Sequence, residues 1–255
     1  MLNLANAHRS IRSYRPTDID DLLTDILTTG LRSSSSGNMQ TWSVIVTKDA
    51  AQKRLLYEVH SRQEMILQAP VVLTFCADLF RMREWVRVHG SKQSFDDLLG
   101  FLVGALDATI AAQTICLAAE SKGLGICYMG TTWFAADKLI DILDLPKYVF
   151  PVTSVVMGYP AEDPAVRDRL PLDLIVHQEK YERLTDAELL AAHANRERNA
   201  WERYNAMPAV RERLAEAGIT KLTDYYTYEF KYSNALHNRV SELLMETLKA
   251  QGLWL

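Results

Sequence analysis

The chain has 255 residues, 48% of them hydrophobic and 24% charged, with a formal net charge of -4. That is enough chain to bury a substantial core, in the balance of a globular protein and not a disordered one. A mildly acidic sequence lacks the basic stripe that a general nucleic-acid binder uses to release counterions, so no nucleic-acid partner is expected.

The N-terminal stretch MLNLANAHRSIRSYRP has no uninterrupted apolar segment of the kind a secretion signal carries, and a cytoplasmic protein is expected. It concentrates His8, Arg9, Ser10, Arg12 and Arg15. Guanidinium forks suit phosphate oxygens, and Ser10 adds a donor; the same residues read equally as a basic, solvated arm. Residues 19–32 place Leu22, Leu23, Ile26, Leu27 and Leu31 on one helical face, after Pro16 and Thr17/Asp18 as stop and cap. The junction RSSSSGNMQTW follows, from Arg32 to Trp42. Its serines, with Asn38 and Gln40, either read an amide-like edge of a ligand or simply end the helix in a turn. A strand in WSVIVTK and a short helix from Asp49 to about His60 come next. The strand PVVLTFCAD then shows no alternation, which suits burial on both faces.

Segment 81–96 has the weakest periodicity and reads as an excursion or lid. From Leu98, LLGFLVGALDATIAAQTICLAA is nearly of bilayer length, but Asp107 and Gln113 interrupt it. A helix over 97–121, enclosed by protein on most sides and ending at a left-handed Gly123, is expected instead of a membrane span. A strand in LGICYMG, a helix over 134–144 and a strand within YVFPVTSVVMGYP follow. Gly130, just past a strand, either lets a flat ligand approach backbone N–H groups or makes a plain turn. In VRDRLP, Arg167 and Arg169 alternate onto one side of an extended chain, as a surface strand or a second phosphate clamp. Cys76, Cys116 and Cys127 sit in apolar contexts and read as reduced core residues. No dinucleotide fingerprint, Walker A sequence, G-x-S-x-G elbow or H-E-x-x-H occurs. Alternating strands and helices imply a layered α/β or α+β core over 1–180, with a helical extension over 181–255 that packs on the core or a partner subunit.

HRSIRSY, LRSSSSGNMQ, AAESKGLGICYMG and VVMGYPAEDPAVRDRLPLDLIVHQEKY occur in that order within the first 181 residues. Together they resemble the flavin-dependent nitroreductase family, and within it the oxygen-insensitive NADPH nitroreductases and flavin reductases. The resemblance implies an α+β fold with a central, mostly antiparallel sheet flanked by helices, and a homodimer holding FMN at the subunit interface. It implies FMN contacts from His8, Arg9, Ser10 and Arg12, with the arginines near the phosphate. Ser35, Ser36 and Gln63 would face the ligand, and Tyr128, Met129, Gly130 and Thr131 would lie beside the isoalloxazine. Arg167 and Arg169 would close the other side of the phosphate. No metal and no catalytic side chain is implied.

Two departures stand out. Thr131 occupies a position where relatives commonly carry glycine. Arg196, Arg198 and Arg203 fall in a helical pattern where NADPH-preferring relatives have an arginine-rich loop. The implied activity is hydride transfer from NADPH or NADH, through flavin N5, to a nitroaromatic, a quinone or free flavin by a ping-pong route. The acceptor is a small molecule, and no membrane partner is implied. A same-fold flavoenzyme for dehalogenation or dehydrogenation, or a non-enzymatic FMN-binding protein, are the alternatives.

Overall fold

The computed structural model describes residues 2–228 and 231–254. The expected strands form one antiparallel sheet in the order β1-β2-β4-β3: β1 (Trp42–Thr47), β2 (Val71–Asp78), β3 (Gly125–Met129) and β4 (Val149–Gly158). β2 and β4 occupy the middle and are buried along nearly their whole length, which is why their sequences do not alternate. The one polar pair there is satisfied internally, Thr74 and Ser154 hydroxyls lying 3.1 Å apart.

Before β1 come a short α1 (Leu2–Asn6) and α2 (Asp20–Gly30). Between β1 and β2 lie α3 (Ala50–Val59), close to the expected 49–60 and capped by the Asp49 side chain, and α4 (Met65–Gln68). Then follow α5 (Phe80–Val88), α6 (Leu98–Ser121) and, after β3, α7 (Ala136–Ile142). The α6 face made of Ala108, Ala111, Ala112, Ile115, Cys116 and Ala119 packs with Leu73, Phe75 and Val155 of the sheet. Small residues let helix and sheet approach closely. The other sheet face, with Val72, Cys127, Met129 and Val156, is covered by Leu56, Ile66 and Leu139. Three layers result, helices on both sides of one sheet.

Two expectations are corrected here. Segment 81–96 is not an unpatterned excursion, because its first half is α5. Charge and aromatic contact hold it in place of an apolar face: Arg83 lies 4.1 Å from the Tyr148 ring and 3.0 Å from Asp96. Only Met82 of that helix is buried, so periodicity had little to report. The long helix α6 is not enclosed on most sides, since Leu99, Leu102 and Leu106 are 69%, 53% and 56% exposed. An all-round apolar composition hides which face is left open. Its ends are as expected, with Asp97 accepting from Gly100 N at 2.7 Å and Gly123 at φ 78°.

Contacts divide the chain into two compact units, Met1–Ala165 with Val240–Leu255, and Val166–Arg239. The final stretch, from Val240, belongs to the sheet-bearing unit. Leu248 and Leu253 join its core, and Tyr148 N donates to Gln251 O at 2.9 Å. The second unit is helical: α8 (Asp186–Asn205), α9 (Pro208–Glu216) and α10 (Leu222–Thr227) gather Ala200, Leu214, Ile219, Leu222 and Tyr225. Of the stretch 228–252, part of the expected helical extension, the helix is α11 (Asn234–Ala250), and residues 229–230 lie outside the described residues.

Candidate flavin site

The N-terminal basic segment is built into the sheet edge. Ile11 N donates to Ile126 O of β3 at 2.9 Å, and Tyr14 bridges Pro160. Ile11 fills the space beside Gly125, where an added Cβ would come within 2.5 Å of it. Glu162 accepts from the backbone N–H groups of Arg12 and Ser13. His8 Nδ1 lies 2.6 Å from Glu120 Oε1, and Arg9 forms an ion pair with Asp163. Ser10 is half-buried, and the Arg12 guanidinium is exposed, with no hydrogen bond or ion pair among the described residues. The segment is therefore a pinned strand edge carrying one uncommitted cation.

At the far end of β3 the backbone is open. Tyr128 Oη donates to Gln113 at 3.3 Å, and Met129 is buried. Gly130 is exposed, its φ is outside the left-handed region, and an added Cβ would meet nothing within 4 Å. Neither backbone conformation nor any neighbour in the chain requires glycine there. What a side chain would occupy is the space in front of the ribbon, the kind of cradle a flat ring system needs. Ile126 and Gly130 are four strand steps apart, roughly 13 Å. A free guanidinium and an open ribbon at that spacing suit an extended mononucleotide such as FMN, phosphate at one end and ring at the other.

Next to the ribbon, Thr131 Oγ1 lies 2.8 Å from His60 Nδ1 and accepts from Gln63 Nε2 at 3.3 Å. Gln63 Nε2 also donates to His60 O at 3.0 Å. Ser61 and Arg62, at φ 58° and 54°, make the left-handed turn that delivers Gln63 from the end of α3. His60 is wholly buried, and burial pushes its pKa down to about 4, so the ring is neutral at pH 7. Sequence reasoning missed His60; a histidine ending an amphipathic helix looks like an ordinary terminus.

The serine junction lies elsewhere. Ser36 N donates to Asp107 Oδ1 at 2.9 Å, and Thr41 N and Oγ1 donate to Asp107 Oδ2 at 3.2 and 2.8 Å. Ser35 Oγ accepts from Gln40 N at 2.7 Å, while Asn38 and Gln40 contact each other at 3.4 Å. Met39, Gln40, Trp42 and Arg81 border an open groove of about 670 Å³. Asp107 had registered only as an interruption in an apolar run; its buried carboxylate organises the loop. This loop leads into β1, at the opposite edge from β3, three strand spacings or roughly 14 Å away. Along α6, Asp107 and the Glu120 that holds His8 are separated by about 20 Å at 1.5 Å per residue. One chain does not bring Ser35 and Ser36 to the ribbon and the N-terminal segment.

Arg167 and Arg169 belong to the second unit. With Arg196, Arg203, Tyr204 and Tyr226 they line a cavity of about 160 Å³. Arg169 donates to the carbonyls of Arg167 and Asp168 at 3.3 Å, and Asn199 holds the Asp168 carboxylate at 2.9 Å. Arg196 and Arg203 are two turns apart on α8 and share a face, while Arg198 turns away to Asn195 at 2.9 Å. Arg203 Nε is buried with no hydrogen-bond partner among the described residues. Four guanidinium groups around one small cavity suit a phosphate.

Burial pushes the Cys116 thiol up to about 12 and raises Cys76 as well, so neither is a thiolate nucleophile. Among the described residues, no group of three His, Cys, Asp or Glu side chains is placed to hold a metal.

Residues 5–159 match the Nitroreductase family. Over 177 residues the chain is 41% identical to an FMN reductase [NAD(P)H] of Bacillus subtilis (strain 168), covering 68% of this chain and 71% of that protein. A Bacteroides fragilis crystal structure, assigned only as an oxidoreductase, superposes with a TM-score of 0.89 at 37% identity and covers 99% of both chains. The NADPH:FMN oxidoreductase of Vibrio harveyi, solved with NAD+, gives a TM-score of 0.72 at 27% identity, covering 91% of this chain and 99% of that one.

Proposed function

The chain belongs to the nitroreductase family, and from that premise we propose an FMN-dependent oxidoreductase that passes hydride from NAD(P)H to a small electron acceptor, a nitroaromatic, a quinone or free flavin. Donor and acceptor take turns over one open ring face. The observation that carries this reading is the ribbon at Gly130, open for no reason internal to the chain, on the same strand edge as the uncommitted Arg12.

When bound, FMN supplies the hydride chemistry. The chain supplies binding and orientation. Arg12 and Ser10 hold phosphate oxygens; Arg9 joins them by exchanging Asp163 for the ligand. Backbone N–H groups of Gly130 and Thr131 face the ring, and Gln63 adds an amide. Tyr128 and Met129 anchor the ribbon from behind through Gln113 and the core. Within the second unit, Arg167 and Arg169 suit a phosphate group. Arg196 and Arg203 line the same cavity of that unit, and the four guanidinium groups together fit one phosphate, the group that distinguishes NADPH from NADH. Ser35 and Ser36 come from a second copy of the chain, since their own copy holds them at the other sheet edge. The exposed Leu99, Leu102 and Leu106 give that copy an apolar seat, which supports a homodimer. Cytoplasmic placement accords with three buried cysteines that form no disulfide.

FMN titration of the wild type, Gly130→Val and Arg12→Ala tests the proposal. Each variant should weaken FMN binding by about tenfold or more, while the melting temperature stays within about 2 °C, because neither side chain packs in the core. Wild-type protein that takes up no FMN, or retains FMN that NADPH does not bleach, defeats it. A panel of halogenated and saturated substrates separates the dehalogenase and dehydrogenase alternatives.

A further inference from the structure

We infer that His60 is a positioning residue: it commits Thr131 as a hydrogen-bond donor and Gln63 as an acceptor toward the ligand lying over the Gly130 ribbon. That ligand is flavin if the proposed function holds, and the inference rests on that reading.

The polarity follows from counting protons. A neutral imidazole carries one N–H. Nδ1 faces Thr131 Oγ1 at 2.8 Å, whereas Nε2 is buried with no partner among the described residues. A proton on Nε2 would leave a donor orphaned in the interior, and orphaned N–H groups are rarer than orphaned acceptors. A proton on Nδ1 is used, and only a lone pair is left over at Nε2. His60 therefore donates to Thr131.

Gln63 can be oriented in the same way. Its Nε2 meets the His60 carbonyl at 3.0 Å and Thr131 Oγ1 at 3.3 Å. A flipped amide would set oxygen against the carbonyl, so both amide hydrogens are spent here and Oε1 is left over. Thr131 Oγ1 then accepts from two donors, which uses both lone pairs and leaves only its own proton to give. Beside the open ribbon stand one committed donor, Thr131 O–H, and one committed acceptor, Gln63 Oε1. Such a pair recognises the alternating acceptor and N–H edge of an imide-bearing heterocycle.

The test has two arms. Long-range 1H–15N NMR of the ligand-free protein should show the His60 proton on Nδ1. Fluorescence titration should show FMN binding weakened by about tenfold in Thr131→Val and His60→Phe, yet within about twofold of wild type in Thr131→Ser and His60→Asn, whose side chains keep the hydroxyl and a donor near Nδ1. Thr131→Val guards against a misfolded His60 variant. An Nε2–H tautomer overturns the inference, as does a Thr131→Val protein with wild-type affinity; in both cases wild-type protein still titrates with FMN. Wild-type protein that does not titrate overturns the flavin reading and the inference together.

Discussion

Keeping an imidazole sealed and neutral behind Thr131 has a cost that depends on pH. The unfolded chain protonates His60 near its ordinary value of 6.5, while the folded protein resists until about 4. Between those values the unfolded state binds more protons, so the folded state loses stability as pH falls from 6.5 toward 4 and has its full share above 6.5. Urea unfolding of wild type and His60→Asn at pH 7.0 and 4.5 should show the wild-type advantage shrink by about 2 kcal/mol at the lower pH. Parallel profiles for the two proteins would mean that His60 titrates normally in the fold. At this scale the sequence marked Gln63 and Thr131 only through family resemblance, and it did not mark His60. It left Gly130 poised between turn and close approach; neither a left-handed φ nor a crowded neighbour requires the glycine, which supports the proposed approach of a flat ligand.

Elements are legible where burial writes a pattern. β2 is legible by its lack of alternation, which matches burial along its whole length. α5 is not, being held by the contacts of Arg83, which leave no periodic trace. α6 was found by length, but a helix apolar all round cannot say which face a single chain covers. Its one buried carboxylate is the informative residue. Asp107 accepts three hydrogen bonds from the serine junction, and Asp107→Ala leaves Ser36 N and Thr41 N without an acceptor. That should lower unfolding free energy by about 3 kcal/mol in urea, with Asp107→Asn losing less because one oxygen remains. Equal stability of Asp107→Ala and wild type would show that the loop holds itself. In the junction, too, the sequence left turn and ligand contact open. Ser35 Oγ is spent on Gln40 N, so the turn reading holds in part, and any ligand contact must come from what the loop still exposes.

For the whole molecule the decisive fact is that two sets of ligand-suited groups sit on opposite edges of one sheet. The serine junction lies at β1, and the open ribbon with Arg12 lies along β3. In the proposed homodimer an isologous pairing would reconcile the two edges, because a two-fold axis can present each copy's β1 junction to the other's β3 edge. The open leucines of α6 lie on the helix that carries Asp107, so the surface that would seat the second copy is continuous with the loop it would deliver. Complementation tests the arrangement. Gly130→Val damages the ribbon, and Asp107→Ala damages the loop. Either homodimer then has two damaged sites and should hold little FMN. A mixed dimer should have one site with an intact ribbon from the Asp107→Ala copy and an intact loop from the Gly130→Val copy. Its other site carries both lesions. Refolded mixtures carrying two affinity tags, purified on both, should therefore recover about one FMN for every two chains, as expected of interface contacts donated in trans. If ribbon and loop served the same site from within one chain, every site in the mixed dimer would carry one lesion, and no binding would return.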